Sequence, residues 1–557
     1  MATRRLLTAL VLLGVALRAV AYFGNSSLWL DEILLSRNII ELPMRELLLA
    51  PLALDQVAPR GFLFVEKLAV IAFGPHELAL RLFPFLCGLA SVVLFRRLAE
   101  RTLTGAAVPV AVALFAIGVP FLKYGAEVKQ YQIDATAAIL LTLLALPLID
   151  PDPARASTRH RVLVGLAGFV VVCFSQASVL MMAGIGAAMA GEWLFTRSRP
   201  IGQTLITTMP LWAIASIAGI VMGLASMSPS TKEFMDDFWA VGFAPLSRVS
   251  GLPGWYWDRL ASLFTEPVLL RYGWPAWFLA IAAAGFVWLW RQRRSTVLIV
   301  AAPIVMTMIA ATAHQYPFRQ RLVFFLLPSV LLLIAAGAEW LRMLFARLHP
   351  VAGLVPLALC VGPAVVAIAS TPPPYEIEQS RALLGHLQQH RQAGDTIFVY
   401  PLSRIGVLYY GKQFGILPGD LVTAICSRDD TRVYLRDVDQ FRGRARVWVY
   451  TAAQRPYRVA RSTVRAYLQT IGVRRDSITL PSMQYGEVSL DLYDLSDPAR
   501  LAAANAETFP APPMPTDPSP GCRPWTRGDM FDLRYEITPG VISGPRPRRP
   551  SSPSGRR

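Results

Sequence analysis

Charge is scarce in this chain. Asp, Glu, Lys and Arg make up 16% of 557 residues, where a soluble globular chain carries roughly 25%. Beside an apolar fraction of 54%, that shortage argues against a purely soluble enzyme and against general disorder. Cysteine is rare too: five residues exclude a small disulfide scaffold. No internal repeat of long period is visible. Acidic residues are the scarcer sign, 37 against 54 Lys and Arg, which leaves a net charge of +17. Such an excess would suit nucleic acid, but the arginines stand in short clusters between apolar runs, the pattern of cytoplasmic loops. No nucleic-acid partner is expected; membrane lipids are.

What the chain has in quantity is apolar sequence of spanning length, with a mean hydropathy of +0.43. Spans are predicted near Leu6–Phe23, Leu78–Phe95, Ala106–Leu122, Tyr131–Leu148, Val162–Phe174 and Ala177–Phe195. Further spans are predicted near Thr204–Ala225, Trp274–Trp290, Thr296–Ala313, Leu322–Ala338 and Val351–Ile368, eleven in all. Arg4-Arg5, Arg96-Arg97, Arg155 to Arg161, Arg197 and Arg199, Arg291 to Arg294 and Arg342 to Arg347 fall at every second junction. This places the N-terminus in the cytoplasm and the alternate loops outside. The first segment has no clear small-residue cleavage site and reads as an uncleaved helix.

Residues 1–370 are therefore expected to form an α-helical polytopic membrane domain, and 371–500 an extracytoplasmic α/β domain. In the latter, Thr396–Tyr400, Arg432–Leu435, Arg446–Tyr450 and Glu487–Tyr493 look like strands, and Glu378–Gln392 and Thr463–Ile471 like helices. Residues 501–557 read as a proline-rich linker and a basic, partly disordered tail. Cys87, Cys173 and Cys360 fall in apolar spans, whereas Cys426 and Cys522 are both expected outside, where a disulfide could join them.

Polar residues at the outer ends of the spans are the candidates for chemistry. Leu28-Trp29-Leu30-Asp31-Glu32 follows the first span, an aromatic anchor beside paired carboxylates. One carboxylate could be a general base towards a hydroxyl; equally, the pair could begin an interfacial helix and favour its positive end. Arg60, Lys67 and Arg81 follow in the same loop; they could hold a phosphate as a set, or snorkel to headgroups. The second outer loop carries Glu127, Lys129 and Tyr131. The ninth and tenth spans are joined by a loop with His314, Tyr316, Arg319 and Arg321. His314 has no second histidine at ligand spacing, so a divalent metal is possible but not indicated, and no other cofactor is expected.

Taken in order, Leu28-Trp29-Leu30-Asp31-Glu32, the Pro59 turn, Gly74-Pro75-His76-Glu77-Leu78-Ala79-Leu80-Arg81-Leu82, the Glu127-x-Lys129-x-Tyr131 loop and Tyr316-Pro317-Phe318-Arg319-Gln320-Arg321-Leu322 resemble polytopic glycosyltransferases of the GT-C fold. The likeness is to bacterial relatives of the protein O-mannosyltransferases and of the aminoarabinose lipid A transferase. It runs over about residues 1–340. Many members carry His-Pro-Pro where this chain has Ala58-Pro59-Arg60. The resemblance implies a sugar donor on a polyprenyl phosphate, used at the outer face of the inner membrane, and an acceptor that is a glycan, lipid or protein. It implies Asp31 as catalytic base with Glu32 supporting the loop, and Lys67, Lys129, Arg319 and Arg321 as candidates for phosphate. A single displacement would invert the anomeric configuration. The alternatives are a polytopic transporter, which would favour midplane charges and repeats, and a non-catalytic envelope-assembly protein.

Overall fold

The computed structural model describes residues 2–149, 157–266, 269–424, 430–452 and 458–512. Helix α1 (Ala2–Phe23) is followed by four short helices of the first loop: α2 (Leu30–Glu41), α3 (Met44–Leu49), α4 (Arg60–Phe73) and α5 (Glu77–Leu80). A helical bundle continues through α6 (Leu82–Thr102), α7 (Ala107–Ile117), α8 (Val119–Lys123), α9 (Tyr131–Ala145) and α10 (Thr158–Phe174). Then come α11 (Ser178–Thr196), α12 (Arg199–Ala225), α13 (Pro229–Trp239), α14 (Leu252–Thr265), α15 (Pro275–Thr312), α16 (Leu327–Ala346) and α17 (Leu354–Ser370). Among the described residues, seven helices are long and apolar enough to cross a membrane, or eight if the bent pair α7 and α8 is one span. Large side chains such as Leu12, Ile206 and Val305 stay exposed on these helices, as lipid-facing residues do. The chain is a multi-pass membrane protein.

The eleven expected spans are not matched one for one. Helices α10 and α17 stop at 17 residues each. The expected eighth and ninth spans run on as α15, 38 residues long, broken at Arg293 where φ is −145° and ψ is 65°. Unbroken it would measure about 57 Å, nearly twice the roughly 30 Å hydrocarbon core, so the break divides it into two pieces of spanning length. Helix α15 packs tightly on α16: a Cβ on Gly285 would lie 1.9 Å from the Leu333 carbonyl oxygen, and one on Gly337 2.0 Å from that of Ile281. Only glycine allows that approach.

The α7–α8 break matters for the site. Gly118 is extended and Pro120 has no N–H, so two carbonyls of α7 lose their helical donors. The Arg18 guanidinium, buried in α1, donates to both, at 3.3 Å (Ala116) and 3.4 Å (Phe115). The turn thus stabilised aims Lys123 to Gln130 inward.

The α/β domain has one five-stranded sheet of order β2-β1-β3-β5-β4. Strands β1 (Thr396–Val399), β2 (Leu421–Thr423) and β3 (Val447–Thr451) are parallel; β5 (Gly486–Asp494) runs antiparallel to β3 and to β4 (Val473–Ser482). Helices α18 (Ser380–His390) and α19 (Arg404–Tyr410) cover one face; α20 (Thr431–Asp439) and α21 (Arg458–Ile471) cover the other. Arg432–Leu435, expected as a strand, lies in α20. Thr431, Tyr434, Leu435 and Val438 bury one helical face, a period that a four-residue window cannot display. Strand β4 was not expected, because Arg474, Arg475 and Asp476 break its alternation. After Asp494, α22 (Pro498–Ala503), Phe509 and Ala511 still pack on the α21 face, past the expected start of the linker at 501. Cys426 and Cys522, and with them the expected disulfide, lie outside the described residues.

Candidate active site

The core beneath α18 and α19 is continuous with that of the loop between α1 and α6. Leu383, Leu387 and Trp448 share one cluster with Leu28, Trp29, Ile33 and Leu63. Helix α2 starts at this junction because its free N–H groups find acceptors there. The Tyr410 hydroxyl accepts from Leu28 N at 2.8 Å, Glu378 Oε1 from Leu30 N at 3.0 Å, and Glu32 Oε2 from Trp29 N at 3.4 Å. Arg381 donates to the Asn25 carbonyl and to Ser27 Oγ. Burial pushes the Glu378 carboxyl up to about 8, so it is mostly uncharged at neutral pH.

Neighbours on a helix point about 100° apart, and the two carboxylates of the pair accordingly part. Glu32 turns inward and is 2% exposed. Arg81 grips it with Nε at 2.9 Å and Nη2 at 2.7 Å, Val128 N donates to it at 2.8 Å, and Arg81 Nη1 donates to the Ser26 carbonyl at 2.7 Å. Glu32 therefore ties the loop between α1 and α6 to that between α8 and α9. Asp31 faces the other way and meets Arg321 Nη2 at 2.7 Å. Burial alone would raise its pKa, but Arg321, Lys129 and Lys123 outweigh that and hold the carboxyl below its ordinary range.

Around Asp31 the end of α8 and the segment leading to α9 contribute Lys123, paired with Glu127, and Lys129, whose ammonium donates to Gln56 Oε1 at 2.8 Å. The Lys123 ammonium stands 4.5 Å from the Tyr124 ring and 5.6 Å from that of Trp29. Arg321 lies between the rings of Tyr131 and Trp239, at 5.7 and 5.6 Å. Its Nε is buried with no partner among the described residues. Asp31, Glu32 and Glu127 thus face four cations, Arg81, Lys123, Lys129 and Arg321, which leaves one positive charge in surplus. Burial depresses the Lys129 ammonium's pKa, an effect that Asp31 opposes. Such a site favours an added anion.

The structure brings together Asp31, Glu32, Glu127, Lys129, Tyr131 and Arg321. It places the other candidates elsewhere. Arg60 donates to the Leu47 carbonyl at 2.9 Å, and Lys67 to the Ile39 and Ile40 carbonyls at 2.8 and 2.9 Å. Both cations close the carbonyl ends of short helices, where the dipole favours them. His314 stacks on Phe243 and bonds the Ala244 carbonyl at 2.8 Å, and Arg319 bonds that of Phe238 at 3.3 Å. Tyr316 bonds the Leu322 carbonyl at 2.8 Å. His314 and Arg319 fix the segment that carries Trp239, and so act on Arg321 at one remove. Gln56, Trp239, Glu378 and Tyr410 went unforeseen, because only tertiary contacts bring them to the loop. Lys123 and Glu127 had a legible signal, opposite charges four residues apart.

No family model and no curated protein matches the chain. Among solved structures it is similar to the apo oligosaccharyltransferase of Archaeoglobus fulgidus, with 12% identity and a TM-score of 0.47 over 83% of this chain and 70% of that one. It is similar to the archaeal oligosaccharyltransferase AglB of the same organism in complex with an inhibitory peptide and a dolichol-phosphate, with 12% identity and a TM-score of 0.45 over 88% and 74%. A third is ArnT from Cupriavidus metallidurans bound to undecaprenyl phosphate, with 12% identity and a TM-score of 0.38 over 87% and 98%. Likeness at this level leaves function to be read from the site.

Proposed function

We propose that the chain is a membrane glycosyltransferase that moves a sugar from a polyprenyl-phosphate donor to an acceptor hydroxyl at the outer face of the inner membrane. The observation that carries the reading is the Asp31 cluster. A carboxylate kept ionised stands beside a surplus of buried cations, in the loops whose sequence resembles GT-C enzymes. The acceptor oxygen attacks the anomeric carbon and Asp31 takes its proton. The bond from that carbon to the phosphate oxygen breaks, and the electron pair leaves with the polyprenyl phosphate. Arg321 Nε and the Lys129 ammonium are the donors that neutralise the departing charge. One displacement inverts the anomeric centre. This reading puts the N-terminus in the cytoplasm and the α/β domain outside, the arrangement that the alternation of arginine clusters favours.

The test is a transfer assay with purified full-length protein, a panel of synthetic polyprenyl-phosphate sugars and mass-spectrometric detection of released lipid phosphate. Turnover of one donor that Asp31→Asn abolishes supports the reading. A folded protein that turns over none of the panel, and whose deletion leaves the envelope glycans unchanged, refutes it.

A further inference from the structure

A second group of chemically capable side chains lies on the α/β domain, apart from the Asp31 cluster. His386 and His390 are one turn apart on α18, a spacing that puts both imidazoles on one face. Opposite them on β4 stands Asp476, 90 residues from His386 in sequence. One nitrogen from each histidine and one oxygen from the aspartate all lie within 4.8 Å of one another. We propose that these three residues form a binding site for a divalent transition-metal ion of the zinc class.

Three observations set this group apart from an ordinary surface ion pair. The first is orientation. His390 Nδ1 is 2.9 Å from the His386 carbonyl oxygen, to which it donates its proton, so Nε2 carries the lone pair a metal needs. Asp476 Oδ1 accepts from Ser477 N at 2.7 Å, which leaves Oδ2 towards His386 Nε2 at 2.8 Å. The second is the strand. Register shifts between Arg474 and Asp476, a bulge that re-aims the next side chain. Asp476 then pairs with Leu492, whose side chain belongs to the core beneath α18. The third is charge. Arg446, the cation next to this group, is gripped by both oxygens of Asp395, at 2.6 and 3.1 Å, so its repulsion is largely cancelled.

Two imidazoles and one carboxylate select a borderline-soft ion over Mg²⁺ or Ca²⁺, and three protein ligands leave a position for water. In a tetrahedral site with bonds of about 2.0–2.2 Å, ligand atoms lie roughly 3.4 Å apart. The three atoms now lie within 4.8 Å of one another, and the two imidazoles stack with centroids 4.1 Å apart and planes 25° apart. Binding therefore requires the rings to turn until their lone pairs converge, and His386 Nε2 to release the proton it donates to Asp476. A bound ion would fasten α18 to the edge of the sheet, and Glu378 and Arg381, at the start of that helix, hold the Asp31 loop.

The experiment uses the full-length detergent-solubilised protein after chelator treatment, titrated calorimetrically with ZnCl₂ and, in parallel, MgCl₂. Co²⁺ absorption serves as the spectroscopic probe. We expect one saturable zinc site, a tetrahedral cobalt spectrum, a zinc-dependent rise in melting temperature and no magnesium binding. His390 is exposed, so His390→Ala should fold normally by circular dichroism. It and Asp476→Asn should each weaken zinc by about 100-fold or more, since loss of even an outer-shell partner costs 10–100-fold. Absence of saturable binding in the wild type, or wild-type affinity in either folded variant, overturns the site.

Discussion

The Asp31 carboxylate and the Arg321 guanidinium meet at 2.7 Å, one at the start of α2 and the other just before α16. The proposed base and a proposed phosphate ligand are thus partners at rest. A donor phosphate arriving at Arg321 would compete for its N–H groups and make Asp31 more basic at the moment a base is needed.

Asp31→Asn keeps the shape and removes the basic group. Transfer should fall by about 10²–10⁴-fold, while membrane insertion and melting temperature stay near wild type. Full activity in the purified variant would move the base to Glu127.

Arg321→Gln should change the pH profile as well as donor use. Arg321 stabilises the ionised form of Asp31, so without it burial dominates and the Asp31 pKa rises. The acid limb of kcat/KM should move up by roughly 1–3 pH units, and KM for the donor should rise. An acid limb that stays in place would separate Arg321 from Asp31.

Glu32 and Arg81 form a buried pair, 2% and 3% exposed. Arg81→Met leaves an uncompensated buried carboxylate and should cost about 3–5 kcal/mol. Glu32→Gln combined with Arg81→Met should regain part of that loss, read as melting temperature in detergent.

Lys67 and Lys129 are both buried lysines, yet their variants should differ in kind. Lys67→Ala uncaps the carbonyl end of α2 and should lower stability more than donor affinity. Lys129→Ala should weaken donor use by about tenfold or more with little loss of fold, as removal of one charge-assisted contact does. Steady-state kinetics with a thermal-shift control separates the two.

Glu378 is largely protonated at neutral pH and accepts from Leu30 N, a role the Gln amide oxygen can fill. Glu378→Gln should therefore stay near wild type, whereas Glu378→Ala should reduce turnover by loosening the start of α2.

The sequence alone was enough for what depends on local composition. Apolar runs and arginine clusters marked the membrane domain, because a span is a one-dimensional property of some twenty residues. Trp29-Leu30-Asp31-Glu32 stood out because an aromatic residue and two acids at a span end are unusual in any setting. Which acid turns to which partner was left to the tertiary structure. Arg81 claims Glu32 and Arg321 claims Asp31 only after the α1–α6 and α8–α9 loops and the entry to α16 have converged. In the same way Arg60 and Lys67 looked like phosphate ligands until helix ends took their donors. Asp476 became a neighbour of His386 only through a bulge in a strand of unclear pattern. A side chain's charge is written in the sequence, but its partner is chosen by whichever buried acceptor the folded chain brings within about 3 Å, and that distance exists only in three dimensions.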